Sequence, residues 1–126
     1  MLRRFHHIAI LCSDYRLSKE FYVDRLGFDV LAENWREESR SWKCDLKCDA
    51  AQIELFHFPS SPPRLSRPEA CGLRHLAFAI DSMPAAVAWL SERGIETEAV
   101  RTDPFTGKAF TFFSDPDGLP IEMYES

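Results

Sequence analysis

The chain has no long apolar stretch and no run of basic residues. Residues 1–7 lead almost at once into a predicted strand, so we expect no signal peptide, no transmembrane helix and, by default, cytoplasmic localisation. The 15 basic and 20 acidic residues give a net charge of −5. This balance argues against nucleic acid and anionic membranes as main partners. At 126 residues the chain suffices for one compact domain with a substantial core.

Cysteine is scarce as well, and its spacing excludes two common kinds of site. The four cysteines form no Cys-x-x-Cys motif: Cys12, Cys44, Cys48 and Cys71. Zinc-finger and thioredoxin-like sites therefore do not fit, and the density is too low for a disulfide framework. We interpret the thiols as reduced, small hydrophobic groups.

What the chain does contain is an internal repeat. Glu54 lies 47 residues after His7, and Glu122 lies 47 residues after His75, so the second pair follows the first at an offset of 68. The flanking residues match too: His-Ile-Ala-Ile at 7–10 corresponds to His-Leu-Ala-Phe, and Ile-Glu-Leu-Phe at 53–56 corresponds to Ile-Glu-Met-Tyr. A repeat of this kind predicts two equivalent structural modules.

Both modules predict the element order βαβββ. Module 1 (residues 1–59) has an apolar strand at 5–11, then a helix that begins at Ser13 or Asp14 and ends at Gly27. Module 2 (residues 71–126) repeats this plan, with a helix that begins at Asp81-Ser82 and a following strand at 95–101. The proline-rich residues 60–70 predict a semi-rigid linker. We interpret residues 1–126 as a single domain built from these two modules.

The two repeated histidines are predicted to face a cavity. Side chains alternate between the faces of a strand, so His7 shares its face with Ala9, and His75 shares its face with Ala77. These small neighbours leave space above the sheet, while the opposite faces carry large apolar groups suited to packing under the helices. His6 falls on the helix side by the same alternation, which makes His7 the better ligand candidate.

The two repeated glutamates are unusual for their surroundings. Glu54 and Glu122 lie in strands whose neighbours are nearly all apolar, where an uncompensated carboxylate would cost several kcal/mol. Either glutamate alone suggests a charge on an edge strand that faces water. Two of them, in register with two cavity-facing histidines, favour metal binding. His57 has no repeat partner and is interpreted as a bystander.

The chemistry of this set of ligands suits a divalent cation. Two neutral imidazoles and two carboxylates balance the charge of such an ion, and their nitrogen and oxygen donors suit Ni²⁺, Co²⁺ or Zn²⁺, with Mn²⁺ and Fe²⁺ as further candidates. Four protein ligands leave one or two octahedral positions open for water or substrate. An open position is typical of a catalytic site, so we expect one divalent ion per site.

With these residues the chain resembles the vicinal oxygen chelate superfamily, which includes glyoxalase I, extradiol dioxygenases and bleomycin-binding proteins. The resemblance covers essentially the whole chain and rests on the segments around both histidines, on Leu26-Gly27-Phe28, and on Asp115-Pro116-Asp117-Gly118 before Glu122. It implies an α+β fold in which two βαβββ modules form a half-closed mixed β-barrel around one divalent ion. The chain is most similar to the small glyoxalase-like lyases.

Within that superfamily, the order of the predicted ligands is informative. Bacterial glyoxalase I uses His, Glu, His and Glu in this order, which His7, Glu54, His75 and Glu122 reproduce. Bleomycin-binding relatives generally lack these ligands. The chain departs from glyoxalase I where glutathione is held, because Leu11 and Phe58 replace an arginine and an asparagine. Other cations would have to meet an anionic substrate group, and the candidates are Arg36, Lys43, Arg67 and Lys108.

The resemblance implies a lyase or isomerase that acts on a small substrate with two adjacent oxygens through a metal-bound enediolate. By the same carry-over, Glu122 is the expected catalytic base. The alternatives are an Fe²⁺ ring-cleaving dioxygenase and a protein that only binds and sequesters a toxic compound. We also expect a homodimer, with each ion held by His7 and Glu54 of one chain and by His75 and Glu122 of the other, as in glyoxalase I.

Overall fold

The computed structural model describes residues 1–126 and divides into two compact units, residues 1–63 and 64–126. Each unit contains a four-stranded mixed sheet and one helical segment in the order βαβββ. The predicted α+β fold class with two βαβββ modules is therefore confirmed. None of the helices is long and apolar enough to cross a membrane.

Unit 1 has the strand order β1-β4-β3-β2, in which β1 runs parallel to β4 and the other pairs are antiparallel. Asp14 begins the helix, because its Oδ1 accepts a hydrogen bond from the Leu17 N–H at 3.0 Å, as the sequence predicts. The elements are β1 His7–Leu11, α1 Tyr15–Lys19 continued by a π-helical segment Glu20–Arg25, β2 Asp29–Arg36, β3 Ser41–Cys48 and β4 Ala51–His57.

The π-helical segment is a feature that the sequence does not predict. The Leu26 N–H donates to the carbonyl of Phe21, five residues earlier, at 2.9 Å. The helix ends at Gly27, whose φ of 81° is a conformation that glycine adopts without strain. The segment buries Phe21 and Tyr22.

Unit 2 repeats the arrangement with the strand order β5-β8-β7-β6, in which β5 is parallel to β8. Ser82 begins the helix as predicted, with Pro84 in its first turn. The Glu125 carboxylate also accepts the Met83 N–H at 2.7 Å, which ties the helix to β8. The elements are β5 Leu76–Ile80, α2 Met83–Glu92, β6 Arg101–Thr102, β7 Ala109–Ser114 and β8 Pro120–Glu125.

The predicted strand at residues 95–101 is wrong, because only Arg101–Thr102 pairs with β7. Before this point the chain makes isolated contacts with β7 instead of a ladder. The Glu98 N–H donates to the Phe112 carbonyl at 2.9 Å, and the Thr111 hydroxyl donates to the Glu98 carbonyl at 2.8 Å. The Ile95 N–H is still occupied by the end of α2, since it donates to the Leu90 carbonyl.

The core of each unit lies on one face of its sheet, and this determines where the glutamates point. Ile53 and Leu55 of β4 are buried, as are Ile121 and Met123 of β8. Fully burying such a side chain contributes about 1.5–3 kcal/mol, so a register shift that exposed them would be costly. The residue between each pair, a glutamate, is therefore held on the opposite face.

Candidate metal centre

In unit 1, the fold brings His7 and Glu54 together. His7 opens β1, and Glu54 lies in the neighbouring parallel strand β4, directly opposite Ala9. The Nδ1 atom of His7 lies 3.3 Å from Oε2 of Glu54. Because Ala9 has only a methyl group, the space beside the carboxylate stays open to the imidazole. The Glu54 side chain is only 11% exposed, whereas the His7 side chain is 41% exposed.

The second carboxylate oxygen of Glu54 faces a cation. The Nζ atom of Lys43 lies 3.5 Å from Oε1 of Glu54 and 2.5 Å from Oδ1 of Asp45. The hydrogen bond to Asp45 and the two negative charges raise the pKa of Lys43 above its ordinary value. A fully charged ammonium next to a nearly buried carboxylate offsets part of the cost of burying it.

In unit 2, His75 and Glu122 form the corresponding pair. The Nε2 atom of His75 lies 3.0 Å from Oε2 of Glu122, and Glu122 is directly opposite Ala77 in β5. On its other side Glu122 is paired with Phe112, whose ring meets the His75 ring edge-on at 5.1 Å. The Nδ1 atom of His75 is buried and has no hydrogen-bond partner. Phe112 thus occupies the register position that Asp45 takes in unit 1, opposite the glutamate.

His6 is closer to the candidate site than the sequence predicts. Its Nδ1 atom lies 2.8 Å from Nδ1 of His7, and the two rings meet at 84°. The prediction that His6 lies on the helix side is wrong, because β1 begins only at His7 and the alternation of a strand does not extend to the residue before it. The ligand atoms of His6, His7 and Glu54 all lie within 4.8 Å of one another. In the sequence, the two consecutive histidines at the start of the strand are the signal that could have indicated a place for His6 in the site.

The other predicted bystanders lie elsewhere. His57 is paired with Trp42 on the helix-facing side of the sheet, away from Glu54. There it lines an open cleft of about 300 Å³ with Tyr15, Trp35, Arg40, Trp42 and Pro59. Cys44 is buried, and desolvation raises the pKa of its thiol. Cys12 and Cys44 are buried and agree with the interpretation of the thiols as packing groups, whereas Cys71 is exposed.

The candidate cations for an anionic substrate group differ in their surroundings. Lys43 is already occupied by carboxylates. The Arg36 guanidinium lies over the ring of Phe56, 4.8 Å from its centroid, and 5.4 Å from that of Phe58. Phe56 is two residues beyond Glu54 in β4, so Arg36 lies on the same face of the sheet as that carboxylate. The remaining two candidates, Arg67 and Lys108, are exposed.

The spacing of the paired donor atoms fits ligands of one cation. Metal bonds to imidazole nitrogen and carboxylate oxygen are about 2.0–2.2 Å long, so two such donors lie about 3.0 Å apart at a right angle and about 3.4 Å apart at a tetrahedral angle. The observed separations are 3.3 Å in unit 1 and 3.0 Å in unit 2. Both pairs therefore fit a divalent ion in donor type and in distance.

Two repeated βαβββ units, each with a histidine–glutamate pair on the face of its sheet opposite the apolar core, define a recognisable class of protein. Residues 4–123 match the family described as the Glyoxalase/Bleomycin resistance protein/Dioxygenase superfamily. The chain belongs to this superfamily, which confirms the resemblance found in the sequence.

Similar proteins extend over nearly the whole chain. The uncharacterized protein YwkD of Bacillus subtilis (strain 168) is 60% identical over 126 residues, which cover 99% of this chain and 98% of YwkD. The uncharacterized protein YaeR of Escherichia coli (strain K12) is 56% identical, with 98% of this chain and 97% of YaeR covered. A crystal structure of a glyoxalase family protein from Enterococcus faecalis is 51% identical, covers 98% of both chains and has a TM-score of 0.93.

Proposed function

We propose that this protein is a metal-dependent, glyoxalase-like lyase or isomerase that acts on a small substrate with two adjacent oxygens. The observation that carries the proposal is the repeated histidine–glutamate pair, with donor separations of 3.3 and 3.0 Å. One such pair alone is a common surface interaction. Two pairs at equivalent positions of two repeated sheets, each with a nearly buried carboxylate, support a shared chemical role.

In this proposal His7, Glu54, His75 and Glu122 hold one divalent ion, with Ni²⁺, Co²⁺ or Zn²⁺ preferred over Mn²⁺ or Fe²⁺. The bound ion would polarise the two substrate oxygens and stabilise negative charge that develops on them. We further propose that the protein is a homodimer in which each set of four ligands comes from two chains.

The environments of the two glutamates support different roles for them. Glu54 faces His7 with one oxygen and the Lys43 ammonium with the other, so a protein cation already compensates part of its charge. Glu122 contacts His75 and lies beside the Phe112 ring. We assign Glu122 as the general base, which would accept the C–H proton from the hydroxyl-bearing carbon of the substrate and return it to the adjacent carbonyl carbon, while the hydroxyl proton passes to the other oxygen. Glu54 then serves mainly to hold the ion.

The substrate is expected to differ from a glutathione adduct. Leu11 and Phe58 replace the polar residues that hold glutathione in glyoxalase I, and Leu11 is 56% exposed on the same face as His7. Arg36 is the candidate to bind an anionic group, because it is on the face of Glu54 and no carboxylate neutralises it. A small substrate with vicinal oxygens and a nearby carboxylate needs no glutathione-binding residues and offers an anionic group to Arg36.

The test is a screen of hemithioacetals, epoxides and catechols against protein loaded with Ni²⁺, Mn²⁺ or Fe²⁺, with Glu122→Gln as the control. The proposal expects isomerisation or lyase activity that the control loses. Oxygen consumption with ring cleavage of catechols under Fe²⁺ would favour the dioxygenase alternative instead. Tight binding of a compound without turnover by any loaded form would favour a sequestration protein and contradict the proposal.

A further inference from the structure

Unit 1 differs from unit 2 in one respect that the repeat does not explain. The residue before His7 is a second histidine, whereas the corresponding residue before His75 is Arg74, which pairs with Glu69 at 3.0 Å. Arg74 thus makes an ordinary surface ion pair. His6 instead directs its Nδ1 atom at the Nδ1 atom of His7, 2.8 Å away.

The backbone holds His6 where its ring reaches the candidate site. The His6 carbonyl accepts a hydrogen bond from the Gln52 N–H at 3.0 Å. Gln52 belongs to β4 and precedes Glu54 by two residues on the same face of the strand. His6 is therefore anchored to the strand that carries the carboxylate, and its ring is next to that of His7.

Hydrogen bonds alone do not satisfy all the donor atoms of His6, His7 and Glu54. The Nδ1 atom of His7 faces both Nδ1 of His6, at 2.8 Å, and Oε2 of Glu54, at 3.3 Å. An imidazole nitrogen has either one lone pair or one hydrogen. A single hydrogen on His7 would have to be shared between two acceptors, and a lone pair there would face the carboxylate. A cation, in contrast, accepts a lone pair from each of the three atoms at once.

We propose that His6 is a metal ligand, so that unit 1 by itself presents a site of two imidazoles and one carboxylate for a divalent cation such as Co²⁺, Ni²⁺ or Zn²⁺. The inference rests on the proposed metal site for His7 and Glu54 and adds a protein ligand that has no counterpart in unit 2. The contact of 3.3 Å falls within the spacing of about 3.0–3.4 Å expected for neighbouring ligands, and the His6–His7 contact of 2.8 Å is about 0.2 Å shorter than that range. The ligand atoms of the three residues all lie within 4.8 Å of one another.

The test is titration of the full-length apoprotein with Co²⁺, whose visible absorption reports the number and type of its ligands. Dissociation constants are measured by competition with a chelator for the native protein and for His6→Ala, His6→Asn, His75→Ala and His57→Ala. His57 is the matched control, because it is a histidine of the same unit on the opposite face. His6 is exposed, and melting of the apoproteins verifies that each variant is folded.

We expect His6→Ala and His6→Asn to weaken Co²⁺ binding by about tenfold or more. Both variants should also change the visible spectrum, while His57→Ala leaves affinity and spectrum unchanged. Unchanged affinity in both His6 variants, or weaker binding with an unaltered spectrum, would overturn the assignment of His6 as a ligand. The second of these outcomes would make His6 a positioning residue for His7.

The proposed function and this inference fail in different ways. If His75→Ala loses Co²⁺ and His6→Ala does not, only the role of His6 is wrong. If His6→Ala loses Co²⁺ but no loaded form turns over any substrate in the screen, the ligand assignment stands and the proposed function is wrong. If the native protein binds no Co²⁺, both are wrong.

Discussion

Removal of the divalent ion should lower the melting temperature of the protein by about 10 °C. The donor atoms of His7 and Glu54 are 3.3 Å apart only in the folded state, because they come from two strands separated by most of unit 1. An ion that binds only the native state stabilises it by about 2.7 kcal/mol when its free concentration is 100 times the dissociation constant. The unfolding entropy of a 126-residue chain is about 0.26 kcal/mol per kelvin, which converts this energy into the expected shift.

Calorimetry measures this shift in protein that is loaded with Ni²⁺ and then treated with excess chelator. The double variant His7→Ala/His75→Ala is the control, and its melting temperature should not respond to ion or chelator. Both histidines are at least partly exposed, so the control should fold. An unchanged melting temperature after chelation, together with no bound metal by elemental analysis, would refute the metal site.

Three further expectations concern the proposed base, the subunit assembly and the acid stability of the fold. Glu122→Gln should lose turnover more completely than it loses metal, whereas Glu54→Gln should mainly weaken binding of the ion. Equal loss of metal in both variants, with activity restored by excess ion, would exclude a base at Glu122. A mixture of the inactive His7→Ala and Glu122→Ala proteins should regain activity after subunit exchange, because a heterodimer with shared sites contains one intact site. No recovery would mean that each site lies within one chain. Hydrogen bonds from Lys19 and a tyrosine lower the pKa of Glu33 in the folded protein. The contribution of Glu33 to the free energy of unfolding is therefore complete above its ordinary pKa of 4.5 and is lost as the pH falls through its lower pKa in the folded state. In urea unfolding, acidification should lower the free energy of unfolding of the native protein by up to about 1 kcal/mol more than that of Glu33→Gln. Parallel curves of unfolding free energy against pH would contradict this.

Much of the fold was predictable because its signals are local. Asp14 and Ser82 begin helices through their own side-chain hydrogen bonds with residues three positions later. Glu54 and Glu122 were recognisable as unusual because their neighbours in β4 and β8 are apolar, and the burial of those neighbours decides which face each glutamate occupies. The family resemblance followed from the repeat of these local patterns at a fixed offset.

The unpredicted features depend on contacts between distant segments or on where an element begins. Lys43 reaches Glu54 because β3 and β4 pair in a particular register, which opposes Asp45 to Glu54 and cannot be read from either strand alone. His6 was assigned to the wrong side because the strand was predicted to start before it. Residues 95–101 have strand-forming composition, but only the last of them joins the ladder of β7.

The position of each strand within its sheet has a kinetic consequence. Glu54 lies on β4, which is hydrogen-bonded to a strand on both sides, whereas His7 opens β1 at the edge of the same sheet. Edge strands and chain ends open locally far more often than central strands, so amide hydrogen exchange should be slow at Glu54 and fast around His7. The same contrast applies to Glu122 on β8 and His75 before β5. In each pair we therefore expect the backbone that carries the carboxylate to be held more rigidly than the backbone that carries the imidazole.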